Sequence, residues 1–486
     1  MTSVASFGLV VLAVAAVGLA GVLSNRLSER LRIPAPAIFL LCAAVASDLA
    51  PSLGRLRVDT VEKVVTVALA LILFNGGLHI GWRRFRTASL ATVWIGVVGT
   101  LLTAGAVAVC ANLLFGLEWR LSLLLGTAVA PTDPAVVFSV LGRREVAGRS
   151  GTLLEGESGA NDPVGISLMI ALLAVGGSGG RAVAAVALQF VLQMVVGVVV
   201  GVLGGRLLLR VMRRLPLPSE GLYPLRVLGG ALAIYGAASV LRGSGFLAVF
   251  VAGILLGDER APYKGEIERF QSALASLAEI VAFVLLGLTI HLSDLPDGGA
   301  LLIGLVLAVL LVLVVRPVLV GLLLWPVDLR RGERLFVLWT GLKGAVPILL
   351  GAFVLGAGVA GAERLYNIVF VVTAFSVIVQ GSLVPALAHR LRVPLRTVEP
   401  EPWSLGVRFQ REPEALHRHH VAPGSRADGV TISELPCHED VWVSLVIRDG
   451  HLVPARADTR LQAGDEVVML ADPEHEADLR SLFQPV

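Results

Sequence analysis

Three carboxylates and one amine stand where the surrounding sequence has little room for charge. Asp133 lies in Ala130-Pro131-Thr132-Asp133-Pro134, Glu157 and Asp162 lie in Glu155-Gly156-Glu157-Ser158-Gly159-Ala160-Asn161-Asp162-Pro163, and Lys343 lies in Gly341-Leu342-Lys343-Gly344-Ala345-Val346-Pro347. On a helix Ser158 and Asp162 share a face, with Glu157 and Asn161 on the adjacent one. Asp133 and Asp162 then offer two carboxylates at one depth, and Ser158 and Asn161 add neutral oxygens. Hard monovalent cations, sodium or potassium, need such oxygen ligands. Two carboxylates held close cannot both stay ionised without a cation or a proton, so the pair exchanges one for the other with coupled titration. Glu157 and Lys343 are expected to pair, since each alone is too costly to keep charged in a buried place.

The elements that must position these groups follow from composition. Of 486 residues 55% are apolar and only 16% charged, too few charges to cover so much apolar surface in water. Soluble, disordered and disulfide-rich secreted classes are excluded, and Cys42, Cys110 and Cys437 give neither a disulfide framework nor a metal spacing. Thirteen apolar segments approach the length that crosses a hydrocarbon core of about 30 Å. They lie near 4–24, 34–50, 61–81, 88–115, 119–141, 152–176, 182–209, 225–241, 244–257, 272–291, 299–326, 334–357 and 364–389. The first is read as a retained span, not a cleaved leader. Alternate connections carry 23 Lys and Arg, the opposite ones only six, namely Arg55, Arg57, Arg120, Arg181, Arg242 and Arg364. Positive loops stay cytoplasmic, so the N-terminus is expected outside and the C-terminus in the cytoplasm of a cell-membrane protein embedded in lipid.

A shift of 210 residues aligns Ser47-Asp48 with Gly257-Asp258, Leu73 to Ile80 with Phe283 to Ile290, and Asp133-Pro134-Ala135-Val136 with Lys343-Gly344-Ala345-Val346. It moves each span by seven positions, an odd number, so paired spans cross in opposite directions as inverted repeats. Asp133 and Lys343 both sit in helix-breaking segments. Broken backbone at bilayer depth is tolerated only where protein or a wet cavity satisfies it, and a charge there costs at least about 2.5 kcal/mol. Two antiparallel broken helices crossing at their unwound centres account for both features. Asp133 then compensates half-helix N-termini and Lys343 half-helix C-termini. The expected fold is an all-α membrane protein with about thirteen spans, two inverted repeats and crossed discontinuous helices, plus a small α+β cytoplasmic domain.

The segments around Asp133, from Leu154 to Pro163, and from Gly341 to Ile348 resemble the signatures of the monovalent cation/proton antiporters that carry an Asn-Asp pair in the sixth span. The similarity runs over residues 1–390. It implies alternating access, with Asp162 as carrier of cation or proton, Thr132, Asp133 and Ser158 around the ion, Asn161 beside it, and Glu157 paired with Lys343. Asn161 stands where electrogenic relatives carry a second aspartate, which implies electroneutral exchange of potassium or sodium for a proton, serving cation and pH homeostasis. Two departures are Lys343, where many relatives carry Arg, and Asn75, where some carry an acid. The resemblance also implies a homodimer and no cofactor or catalytic residue.

Glu279 and Arg316, the remaining charges well inside apolar runs, are expected to form a structural ion pair. His79 and His291 read as ordinary interfacial histidines, and Thr373, Ser376 and Gln380 as a polar stripe of packing hydrogen bonds. Residues 1–396 form the expected exchanger domain, net +11, and the chain from 397 onward is net −8. Thr397 to Pro402 is a Pro and Glu linker. Val441 to Ile447 reads as a strand, Arg448-Asp449-Gly450 as a hairpin turn, and Leu461 to Asp465 leads into the run Glu466 to Leu470; the whole stretch 403–486 resembles the TrkA-C domain of potassium transporters and channels. That implies a regulatory role, with a small nucleotide as possible ligand. His417, His419 and His420 read as a solvated loop and not as a metal site. The acidity argues against nucleic acid. A ligand-gated cation channel or transporter subunit is the alternative the tail suggests, but no filter segment of the Thr-Val-Gly type lies between any two spans.

Overall fold

The computed structural model describes residues 34–49, 57–141, 144–146, 148–175, 179–259, 261–397, 416–436, 441–449, 451–471 and 476–484. The expected first span, Arg26, Arg30, Arg32, Cys437 and residues 398–402 of the linker lie outside them. Two compact units are present, Met1–Leu405 and Gly406–Val486.

Helix boundaries in the first unit follow the prolines, glycines and arginines. The helices are α1 (Ala35–Leu49), α2 (Val58–Val93), α3 (Thr100–Phe115), α4 (Trp119–Val129), α5 (Pro134–Leu141), α6 (Gly148–Ala174) and α7 (Gly180–Arg214). After them come α8 (Leu222–Val240), α9 (Gly245–Gly257), α10 (Lys264–Leu288), α11 (Ala300–Leu310), α12 (Arg316–Leu323), α13 (Arg331–Trp339), α14 (Ala345–Gly356), α15 (Ala362–Phe375) and α16 (Val384–Arg390). Each expected segment from 34–50 onward coincides with one of these or with a pair separated by a break or π turn. Among the described residues seven stretches are long and apolar enough to cross a membrane, and α1, α9 and α14 are shorter apolar helices. The chain is a multi-pass membrane protein.

The internal repeat reappears as corresponding contacts. A Cβ on Gly77 would strike the Phe250 carbonyl, and one on Gly287 would strike the Leu40 carbonyl. Gly287 lies 210 residues after Gly77, and Phe250 lies 210 residues after Leu40, so α2 packs on α9 as α10 packs on α1, through glycines that let backbones touch. Likewise the Asp48 carboxylate accepts from Leu292 N at 3.2 Å, and Asp258, 210 residues on, accepts from Arg83 N. At Gly81, where φ is +66°, α2 kinks against that Asp258 side chain.

Two short strands, β1 (Arg144–Val146) and β2 (Leu395–Thr397), pair antiparallel with Glu145 opposite Arg396. The second unit holds a four-stranded antiparallel sheet in the order β3 (Leu416–His420), β6 (Glu466–Leu470), β4 (Trp442–Arg448), β5 (His451–Val453), with helix α17 (Glu476–Phe483). Arg448 pairs with His451, and Asp449 of the predicted turn takes φ +49°, while Gly450 lies outside the described residues. The core of this unit gathers Val446, Leu461, Val467, Met469, Leu479 and Phe483. The histidine run is not a loop. It is strand β3, where His417 and His419 share one face and His420 the other, and His419 stacks on Phe483 at 4.9 Å. No group of three metal-ligating side chains occurs among the described residues.

Candidate functional site

Helix α4 ends where Pro131 and Pro134 remove backbone donors, and α5 restarts at Pro134, a position where the missing N–H costs nothing. The facing break runs from Thr340 to Gly344 between α13 and α14. The two breaks satisfy each other. Asp133 N donates to Leu342 O at 2.8 Å, the Asp133 carboxylate accepts from Ala135 N at 2.8 Å at the start of α5, and Lys343 Nζ donates to the carbonyls of Ala130 (2.9 Å) and Pro131 (3.0 Å) beyond the end of α4. The acid thus sits at a half-helix N-terminus and the amine at a C-terminus, each against the partial charge of opposite sign. A Cβ on Gly344 would collide with the Asp133 carboxylate, so the close approach of the two breaks needs glycine there.

Polar residues of the π turn Ser376–Gln380 that follows α15 complete the crossing. Ser376 Oγ accepts from Lys343 N at 3.0 Å and donates to Gln380 Oε1 at 2.8 Å. Gln380 Nε2 donates to Trp339 O, and Trp339 Nε1 returns a bond to Gln380 O at 3.2 Å. This part of the stripe therefore serves the orphaned backbone of the break, while Thr373 bonds only its own helix, at Val369 O.

Helix α6 brings Glu157, Ser158, Asn161 and Asp162 against this crossing, all buried. Asn161 Nδ2 donates to Thr132 Oγ1 at 2.7 Å, tying α6 to the first break. Asn161 Oδ1 and Asp162 Oδ1 are then left buried without a hydrogen-bond partner. A buried acceptor left unmatched costs about 1–3 kcal/mol, more when charged. Asp133 and Lys343 are the charges whose fields bear on Asp162.

The buried ion pairs differ from the expected ones. Glu157 does not pair with Lys343. Arg316, at the start of α12, meets the Glu157 carboxylate in a two-pronged bond, Nη1 to Oε1 at 2.8 Å and Nη2 to Oε2 at 3.1 Å, and also donates to Leu338 O (2.9 Å) and Val337 O (3.2 Å). The expected Glu279–Arg316 lock is therefore replaced, because a guanidinium fork matches a carboxylate edge and two carbonyls at once, which an ammonium such as Lys343 cannot do. Gly341 makes the room, since a Cβ there would overlap the Arg316 side chain. Glu279 Oε1, on α10, is left buried with no hydrogen-bond partner, within reach of the Asp133 charge. Arg316 as the Glu157 partner is the site residue that sequence reasoning misplaced. The usable signal was Gly341 itself, a second glycine two residues before Lys343.

The sodium/hydrogen exchanger transmembrane family model matches residues 10–390. The chain belongs to the sodium/hydrogen exchanger family. A TrkA-C domain match covers residues 416–484 of the second unit. Similar relatives of this exchanger include the K(+)/H(+) antiporter NhaP2 of Shewanella sp. strain ANA-3, 34% identical over 99% of this chain and 84% of its own. The K(+)/H(+) antiporter NhaP of Alkalimonas amylolytica is 33% identical over 80% of this chain and 68% of its own. Among solved structures, the sodium proton antiporter MjNhaP1 of Methanocaldococcus jannaschii at pH 8 superposes with a TM-score of 0.65 at 24% identity, over 77% of this chain and 99% of that one, a likeness of fold. His79 and His291 lie away from this crossing, near Asn75 and Ser272 and near Asp48 respectively.

Proposed function

We propose that this exchanger is an electroneutral antiporter, carrying one potassium or sodium ion against one proton by alternating access, with Asp162 as the group that holds either. The observation that carries this reading is the charge ledger of the crossing. Glu157 is matched by Arg316, Lys343 by the carbonyls after α4, and Asp133 by the amide that opens α5. Asp162 alone in this set has a buried oxygen with no fixed donor. Its compensation must come and go. A single cation or a single proton leaves the same net charge behind, hence the electroneutral stoichiometry. Thr132, Ser158, the free Asn161 oxygen and Asp133 are the ligands proposed to complete the cation's oxygen shell.

Potassium is favoured by two relatives whose names carry that ion and which match the chain over most of its length. Glu279, without its expected partner, is proposed as an accessory carboxylate that takes up a proton beside Asp133. The uneven distribution of arginines supports a C-terminal unit on the cytoplasmic side of the cell membrane. The TrkA-C unit is proposed to regulate exchange within a homodimer, with a small nucleotide as the ligand class to test.

The direct test is reconstitution into acid-loaded vesicles with a lumenal pH dye. External potassium, then sodium, should drive proton efflux without building a membrane potential, and Asp162→Asn should lose the response while remaining folded. Efflux that survives in Asp162→Asn removes Asp162 as the carrier.

A further inference from the structure

The loop joining the two helices of the ion site is not free. Between α5, which opens beside Asp133, and α6, which carries Ser158, Asn161 and Asp162, the chain forms strand β1, and its partner is β2. Strand β2 is the last described segment before the chain runs on into the TrkA-C unit. The register is specific: Arg144 faces Thr397, Glu145 faces Arg396, and Val146 faces Leu395. The pair is seated firmly on the exchanger. Val146 is buried, and its carbonyl lies so close to the first turn of α6 that a Cβ on Gly151 would overlap it. On the other side, α16 packs against α5 and α13, and Arg392, at φ +54°, turns the chain from α16 into β2.

Helices are stiff on this scale. From Gly148 to Asp162 is about 21 Å of α6 at 1.5 Å per residue, and α5 spans about 12 Å. A displacement of β1 is therefore delivered to Asp133 through α5 and to Asp162 through α6. Any pull, twist or ordering of the chain leaving Thr397 reaches β1 through the pairing of the two strands.

We infer that the β1–β2 pair is the coupling element through which the TrkA-C unit sets the relative position of the two ion-site helices. The inference rests on the antiport reading only for its readout. It concerns how exchange is set, not which group carries the ion.

The test uses the full chain with a protease site placed after Pro402 and cut after reconstitution, so that the tail leaves a protein already folded. In the wild type the cut should shift the apparent cation KM or the pH profile by about fivefold, the lower range of ordinary allosteric coupling. Arg396→Pro puts proline in the middle of the three-residue β2, where it disfavours strand pairing. The uncut variant should already show the cut profile, and cutting it should add nothing. A wild type indifferent to the cut, or a variant whose effect adds to that of the cut, overturns the inference. Should Arg396→Pro not fold, Glu145→Cys with Arg396→Cys decides, made with Cys42, Cys110 and Cys437 replaced by Ser. Directly opposed strand residues lie within disulfide reach. Oxidised, β2 cannot leave β1, so this protein should respond to the cut at least as strongly as in the reduced form. A response lost on oxidation, or failure of the disulfide to form, refutes the coupling. Loss of exchange in the wild type itself would instead count against the antiport reading.

Discussion

The Glu157–Arg316 fork can be measured against its rival by double-mutant cycles. Arg316→Met leaves Glu157 buried with no cation on its carboxylate, a loss that typically costs about 3–5 kcal/mol. Glu157→Gln costs less. The guanidinium keeps the carbonyls of Val337 and Leu338 and one amide oxygen in place of the carboxylate, so the loss is that of charge-assisted bonds, about 1.5–3 kcal/mol. In the double variant no charge is stranded, and its total loss should fall below that of Arg316→Met alone, a coupling of about 2–3 kcal/mol. The assay is unfolding in mixed detergent micelles followed by tryptophan fluorescence, with all variants compared at one lipid ratio. The rival cycle pairs Glu157→Gln with Lys343→Met. Because Lys343 spends its donors on Ala130 and Pro131, this cycle should couple more weakly than the first. Additivity of the Arg316 cycle within about 0.5 kcal/mol, or stronger coupling to Lys343, would refute the assigned pairing.

Gly344→Ala places a methyl on the Asp133 carboxylate. Exchange should fall by on the order of a hundredfold, as for other ångström-scale misplacements of reacting groups, in a protein that still folds. Gly341→Ala presses instead on Arg316 and should lower stability by about 1–3 kcal/mol, read in the same micelle assay. Glu279→Gln keeps the shape and removes a carboxylate beside Asp133. Vesicle assays should show exchange retained, with its acid limb moved to lower pH because one competitor for protons is gone; an unchanged pH profile would reduce Glu279 to a packing residue. In the TrkA-C unit, burial pushes the Asp465 carboxyl up, but the two-pronged Arg448 bond, the Gln462 N–H and the Arg448 charge outweigh it and hold it below its ordinary value of 3.8. A group depressed in the folded state contributes stability above its unfolded pKa and loses it as pH falls through the folded one. Hydrogen exchange of β6, corrected for intrinsic rates, should thus rise below about pH 4 in the wild type and depend less on pH in Asp465→Asn.

Much of the fold was legible because its signals are local. Apolar length marks a span, two prolines around Asp133 mark a break, and a constant offset of 210 marks a repeat whose glycines and aspartates then meet at corresponding atoms. Partner choice among buried charges was not legible. Glu279 and Arg316 are both isolated charges in the sequence, and nothing along the chain says that Arg316 lies opposite a residue 159 positions earlier. What decides it is space, the gap left by Gly341 beside two carbonyls. The β1–β2 pair escaped for a related reason. Three residues are too few to show a period, and both strands are bounded by arginines that read as cytoplasmic loop.

The repeat also explains why the two breaks carry opposite charges at equivalent positions. In an antiparallel crossing each half contributes one helix C-terminus and one N-terminus to the centre, so two acids or two amines would leave one kind of terminus facing a like charge. Asp133 and Lys343, 210 residues apart, resolve this by serving different ends. The amine reaches across to the carbonyls after α4, whereas the acid stays with the amide at the head of α5 and lends its own N–H to Leu342. The symmetry of the backbone is kept and that of the charge is broken. With these two charges spoken for at helix ends and Glu157 held by Arg316, the orphaned carboxylate oxygen on α6 is that of Asp162, one turn beyond Ser158 and next to the equally unmatched Asn161 Oδ1. Exchanging the two, Asp133→Lys with Lys343→Asp, would preserve net charge yet put each group against the wrong helix end. The exchanged protein should lose both stability and ion exchange, and recovery of either would show that net neutrality, not placement at the termini, is what the crossing requires.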